Sequence, residues 1–200
     1  MKPSLALILL FAAAPARAAA PAYQWFPSNE LYFSAPFFQA IHYPAGGKTA
    51  QAGAWAFGYR AIGNGDGVGK TGGLQLQKLT VNSGGAGVKG SFYLLEMLAG
   101  AEYISPWAQD KPLRFTAGLL ANAGLADTTL FVAPMLTAGL LYQTAATQVP
   151  GGFSLAFYYR FTDIDLDDAA GKPGTLRPAL GFRLGYIFKG FWAPKEKSTT

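Results

Sequence analysis

His42 is the only histidine in the 200-residue chain. A histidine beside a serine can take the hydroxyl proton and activate a nucleophile, and Ser34 and Ser91 are the serines considered for that role. Nothing in the spacing selects either one. Asp163, Asp165, Asp167 and Asp168 cluster in one segment, and hard divalent cations bind several carboxylate oxygens. The segment lacks the sixth-position glycine and twelfth-position glutamate of a calcium-binding loop, so it is expected to be a solvated acidic loop. Residues 63–71 end in Gly69-Lys70-Thr71, as a phosphate-binding loop does. That motif needs glycine where Asn64 stands, and a helix where residues 74–81 read as strand. A glycine-rich hairpin turn is the expectation. Cysteine is absent, which excludes disulfides and thiolate metal sites. No cofactor motif remains.

The other groups able to do chemistry are charges at regular places: Arg60, Glu96, Glu102, Arg114, Arg160, Arg177, Arg183 and Lys189. The elements that hold them are read from a period of two. In residues 176–192 the even positions Leu176, Pro178, Leu180, Phe182, Leu184, Tyr186, Phe188, Gly190 and Trp192 make a face that is mostly large and apolar. The odd positions Arg177, Ala179, Gly181, Arg183, Gly185, Ile187, Lys189 and Phe191 are mostly small or cationic. A strand sends alternate side chains to opposite faces, so this segment has an oily side and a polar or tight side. The pattern recurs in residues 153–162 around Arg160, 113–122 around Arg114, 91–103 around Glu96 and Glu102, and 53–62 around Arg60. Residues 72–81 alternate less well, because Lys78 falls on the apolar side.

Residues 129–143 are apolar on both faces and contain Pro134, which cannot donate to a ladder. They read either as a strand with a bulge at Pro134 or as a short membrane helix. Turn signals rich in Gly, Pro, Asn or Asp separate the runs at 63–69, 82–87, 105–111, 123–127, 145–152 and 163–174. Seven segments result. Closure wants an even number, and residues 31–42 are the expected missing strand, giving eight, or ten if a long segment splits. Residues 21–29 read as a loose end.

The composition fits. Half the residues are hydrophobic and only 14% are charged, where roughly 25% is usual. No apolar run long enough for a membrane helix follows the N-terminal leader. That leader has Lys2, an apolar run from Leu5 to Ala14, and an Ala-x-Ala site at Ala16-Arg17-Ala18. This is the layout of a secretory signal peptide cut after Ala18 or Ala20. The domains expected are a signal peptide at 1–18, a barrel at 19–192 and a tail at 193–200. Removing Lys2 and Arg17 lowers the formal charge from +5 to about +3, too small an excess to imply nucleic acid.

Alternation alone does not say which face is outside. The polar faces are thin, mostly Gly, Ala, Ser and Thr. The apolar faces are too aromatic for an eight-stranded interior, which is only just wide enough for side chains. Aromatics such as Tyr93, Tyr103, Phe153, Phe161, Tyr186 and Trp192 sit near segment ends, as in interfacial girdles. The fold class expected is all-β: a closed antiparallel up-and-down transmembrane barrel of about eight strands. In these features the chain resembles the small bacterial outer-membrane β-barrel proteins of OmpA-, OmpX- and OmpW-like architecture. The resemblance implies residence in the outer membrane. It also implies a final-strand assembly signal, matched here by Leu184, Tyr186, Phe188 and Trp192, although residues 193–200 follow it.

Under this reading these eight charges face inward as a lumen network in which each glutamate sits among two or more arginines. Six cations against two carboxylates would make the lumen cationic. The function expected is a non-enzymatic barrel with a filled, Arg-rich lumen and a structural or surface role. The alternatives are a membrane-embedded enzyme on lipid acyl chains, a narrow anion-leaning pore, and a soluble periplasmic binding barrel. The partners expected are outer-membrane lipid, lipopolysaccharide and the barrel-assembly machinery, for a monomer that binds no nucleic acid.

Overall fold

The alternating segments become strands joined edge to edge. In the computed structural model, which describes residues 28–63, 67–81, 90–105, 113–126, 128–143, 151–167, 170 and 172–189, they are β1 (Ser28–Pro36), β2 (Ala40–Tyr43), β3 (Lys48–Ile62), β4 (Gly67–Val81), β5 (Gly90–Ile104), β6 (Leu113–Ala126), β7 (Thr129–Gln143), β8 (Gly151–Arg160), β9 (Ile164–Asp165), β10 (Thr175–Leu176) and β11 (Ala179–Lys189). The leader, Asp168, Trp192 and the tail lie outside the described residues, as does the Lys189 side chain.

Eight of these strands form the wall. From β3 to β8 each pairs antiparallel with the next, then β8 pairs with β11, β11 with β1, and β1 with β3. The last pairing, Ser28↔Ile62 through Ser34↔Ala56, closes the tube. Closure leaves no unpaired edge in the wall, which is what lets a sheet sit in lipid.

The remaining strands form a small sheet at one mouth. β2 pairs with the start of β3, β10 with β2, and β9 with β10. Two links supply it: residues 37–47 between β1 and β3, and residues 161–178 between β8 and β11. We call this the cap.

Side chains alternate across the wall. Leu31, Phe57, Leu76, Leu95, Met97, Leu119, Leu136, Leu155 and Leu184 point outward and are exposed; Met97 shows 63% of its surface. Their neighbours Glu30, Ala56, Gln77, Leu94, Glu96, Leu120, Met135, Ser154 and Arg183 are buried. An exposed apolar belt of this extent is incompatible with water. It is the outer surface of a transmembrane barrel. Tyr103, Tyr142, Phe153 and Tyr186 gather toward one end of the belt, and Trp55, Tyr93 and Tyr159 toward the other.

Several details differ from the sequence expectation. Residues 31–42 form two strands, because Pro36 ends β1, and β1 begins earlier, at Ser28. Residues 123–126 continue β6, and β7 begins at Thr129. Residues 129–143 are a strand, and Pro134 carries no bulge toward β6: the ladder runs unbroken through Ala121↔Pro134. The proline is tolerated because β8 pairs with β7 only from Met135 onward. Beyond that point the Pro134 carbonyl accepts the Phe161 amide at 3.1 Å.

Candidate functional site: the lumen

The lumen is filled in layers. At the mouth where β1 begins and β11 ends, Ile62, Ile104, Leu141 and Ile187 pack together. The ion-paired Glu30, Arg60, Glu102 and Arg183 follow. Beyond them lie Leu98, Leu120 and Met135 against Tyr158. At the far mouth Ile41, Tyr43, Ile164, Leu166, Ala170 and Leu176 fold in from the cap. They meet Ala50, Ala52, Leu79, Val81, Leu94, Ala126, Phe131 and Ala133 of the wall.

The charged layer centres on two arginines and two glutamates. Arg60 Nε donates to Glu30 Oε2, and Nη1 donates to Glu102 Oε2 at 2.6 Å. Arg183 stands 3.7 Å from Glu30 and 3.6 Å from Glu102. Its guanidinium also lies over the Tyr32 ring, 5.4 Å from the centroid. Ser154 Oγ donates to Glu30 Oε1 at 2.6 Å. All four charged groups are buried. The alternating cations and anions offset one another where water cannot.

Two glycines make room. A Cβ on Gly185 would overlap the Glu30 carboxylate, and one on Gly58 would overlap the Tyr32 ring. Large side chains can cross the axis only where the facing wall has none.

Glu96 is held differently. Gln75 Nε2 donates to its Oε2 at 2.8 Å, and Asn122 Nδ2 donates to the same oxygen. The Tyr32 hydroxyl donates to Gln75 Oε1 at 3.0 Å, tying this group to the arginine layer. Arg160 braces the cap instead. Its Nη2 donates to the Arg177 carbonyl at 2.8 Å and to Gln39 Oε1 at 3.2 Å. A cavity of about 30 Å³ lies beside Tyr32, Gln75, Tyr158, Arg160 and Arg183.

Of the eight charges read from the sequence, the structure brings together Arg60, Glu102 and Arg183. Glu96 and Arg160 are buried in the same lumen but form no ion pair within 4.0 Å among the described residues. Arg114 is buried near the opposite mouth, its guanidinium on the Ser105 carbonyl at 2.8 Å. Arg177 is not in the lumen. It is 46% exposed and pairs with Asp163 at 2.8 Å. Pro178 interrupts the strand, and the alternation inverts there: Leu176 points inward and Leu180 outward.

Glu30 is the residue that sequence reasoning missed. With it, the central lumen holds Arg60, Arg160 and Arg183 against Glu30, Glu96 and Glu102, so the expected cationic excess is gone there. The expectation of two arginines per glutamate fits Glu30 and Glu102, whereas Glu96 has two amides.

The other candidates are dispersed. His42 lies opposite Thr49, and its Nδ1 is 3.2 Å from the Thr49 hydroxyl. Ser34 lies opposite Ala56, seven residues along β3, about 23 Å at ~3.3 Å per residue. Ser91 faces outward with its hydroxyl on Thr80. Asp163 is paired with Arg177, Asp165 accepts the Asp167 amide, and Asp167 accepts from Thr129. No cluster able to hold a metal ion occurs among the described residues.

No family model matches the chain, and no curated protein matches it. Among solved structures, the crystal structure of Neisserial surface protein A (NspA) is similar with a TM-score of 0.42 and 13% sequence identity, covering 82% of this chain and 97% of that chain.

Proposed function

We propose that this chain is a non-enzymatic, non-conducting β-barrel of the bacterial outer membrane with a structural or surface role. The observation that carries the reading is the lumen. From mouth to mouth it holds an apolar layer, an ion-pair layer, a second apolar layer and the cap. The cavity beside Arg183, about 30 Å³, is on the scale of one or two water molecules. A solute path would have to break the buried pairs around Arg60. The balance of three arginines and three glutamates in the central lumen removes the basis for anion preference.

The outer membrane follows from physics and from the leader together. The closed wall and its exposed apolar belt support the reading. Closed barrels belong to outer membranes, and the leader of residues 1–18 provides for export. Delivery by the barrel-assembly machinery, contact with lipopolysaccharide and a monomeric state complete the proposal.

Planar-bilayer recording of the purified, heat-modifiable barrel tests it. The expected result is a silent membrane. Discrete conductance steps that vanish on boiling the sample would overturn the closed-lumen reading.

A further inference from the structure

On the outer wall one row of paired residues departs from the apolar belt. Trp55, Lys78 and Tyr93 lie side by side on β3, β4 and β5. The Lys78 ammonium is 5.9 Å from the Trp55 ring centroid and 5.9 Å from that of Tyr93. Both distances are within cation–π range. The two rings flank the cation, one from each neighbouring strand.

The rows on either side show where this triad stands. On one side the next outward row is Phe57, Leu76 and Leu95, all exposed and apolar. On the other side it is Gly53, Thr80 and Ser91, with the two hydroxyls 3.0 Å apart. The wall changes from oil to polar across the triad. Lys70 marks the opposite limit: it also points outward on β4, eight positions before Lys78. That separation is about 26 Å along the strand at ~3.3 Å per residue. A tilt of about 40° reduces it to roughly 20 Å, near the ~25 Å band of such barrels. Lys78 therefore sits at the level of lipid headgroups.

Among the described residues no acidic side chain neutralises it. Its outward neighbours are Trp55, Tyr93, Gly53, Phe57, Ser91, Leu95, Leu76 and Thr80, none of them acidic. Lys78 forms no ion pair among the described residues. A Cβ on Gly53 would meet only the Thr80 carbonyl, at 3.9 Å, so the wall beside the ammonium is open.

We propose that Lys78, clasped by Trp55 and Tyr93, binds the phosphate of an anionic membrane lipid at the cap end of the barrel. The ammonium supplies charge, the Thr80 and Ser91 hydroxyls lie one row further out as further donors, and the rings pack on the upper acyl chain. The inference rests on the barrel lying in a bilayer.

The test is a barrel whose only tryptophan is Trp55 (Trp25, Trp107 and Trp192 each replaced by Phe), folded into vesicles that mix phosphatidylglycerol and phosphatidylcholine. Quenching of Trp55 is compared with one lipid or the other brominated. The expected result is a preference for the anionic lipid of about fivefold, the scale of one lysine near a charged surface. Lys78→Met should abolish that preference, and Lys78→Arg should keep it. Inorganic phosphate at millimolar concentration should leave it unchanged. Equal quenching by both lipids in the parent barrel would overturn the site, whatever the variants do. So would a preference that survives in Lys78→Met, or one that inorganic phosphate displaces. A heat-modifiable gel shift, read in parallel, separates failure of this site from failure of the barrel.

Discussion

The charged centre of the lumen and the apolar cap fill the same tube by opposite means. At the centre only wall side chains can reach the axis. An eight-stranded barrel is just wide enough that they meet there, and those that cross are long: Glu30, Tyr32, Arg60, Glu102 and Arg183, seated over Gly58 and Gly185. At the mouth the chain itself can enter. The links between β1 and β3 and between β8 and β11 fold in and bring Ile41, Tyr43, Ile164, Leu166 and Leu176. The comparison teaches that reach decides the chemistry. Where backbone cannot go, wall side chains must span the axis, and the long polar ones among them must pair. Where it can, ordinary apolar packing suffices. The two fillings should also fail differently. A broken ion pair strands a charge, whereas a trimmed apolar side chain loses contact in proportion to its size.

The sharpest break is at Glu30. Glu30→Gln keeps the shape but leaves Arg60 and Arg183 sharing the Glu102 carboxylate, with one buried charge unbalanced. Removing one partner of a buried pair costs about 3–5 kcal/mol. The urea midpoint of the folded form, read as the heat-modifiable gel band, should fall accordingly. Pairing Glu30→Gln with Arg183→Met restores the balance and should recover more than half of the loss. A loss below about 1 kcal/mol for Glu30→Gln would mean that the centre is held by packing rather than by pairing.

The wall was legible in the sequence because the bilayer imposes period two on every strand it touches. The outward sets containing Tyr93, Leu95 and Met97, or Phe153, Leu155 and Phe157, could be read directly. The centre was legible in part. Parity places Arg60, Glu102 and Arg183 inward, but Glu30 falls just outside residues 31–42, the segment whose composition reads as the first strand. The alternation Glu30, Tyr32, Ser34 against Leu31, Phe33, Ala35 holds until Pro36 stops it. Pro178 did the same to Arg177 by inverting the faces beyond it. The amides Gln75 and Asn122 could be placed on a face, but strand pairing over long range decides which carboxylate they serve. The cap went unseen because its Asp-rich link reads as a solvated loop, although Ile164 and Leu166 alternate there with Asp163, Asp165 and Asp167.

The cap offers the intermediate effect. Ile41 and Leu176 are fully buried and face each other across the β2–β10 ladder. Ile41→Ala or Leu176→Ala should cost about 2–4 kcal/mol, the usual cost of a large-to-small change in a packed core. The loss should be local. Amide exchange in β2 and β10 should quicken while exchange in β5 and β6 stays slow, because the wall closes through β1 and β3 without the cap. Uniform acceleration throughout the wall would show that cap and barrel unfold as one unit, and the contrast between them would then be one of chemistry only.

The smallest effect is expected where an ion pair leaves the lumen. Arg177 and Asp163 meet at 2.8 Å, closer than either contact of Arg183 in the centre, but their side chains are 46% and 42% exposed. Water already solvates both, so neither charge is stranded when the other is removed. Arg177→Ala should therefore cost no more than about 1 kcal/mol, and less as salt is raised. The cost of Glu30→Gln should scarcely change with salt, because counterions do not reach the centre. The Arg177 backbone carbonyl, which accepts from Arg160 and Gln39, is unaffected by the substitution, so the cap should stay anchored. Measured across a salt series, the two variants isolate burial from distance. Equal losses at high salt would mean that separation between charges, rather than exclusion of water, sets their worth in this barrel.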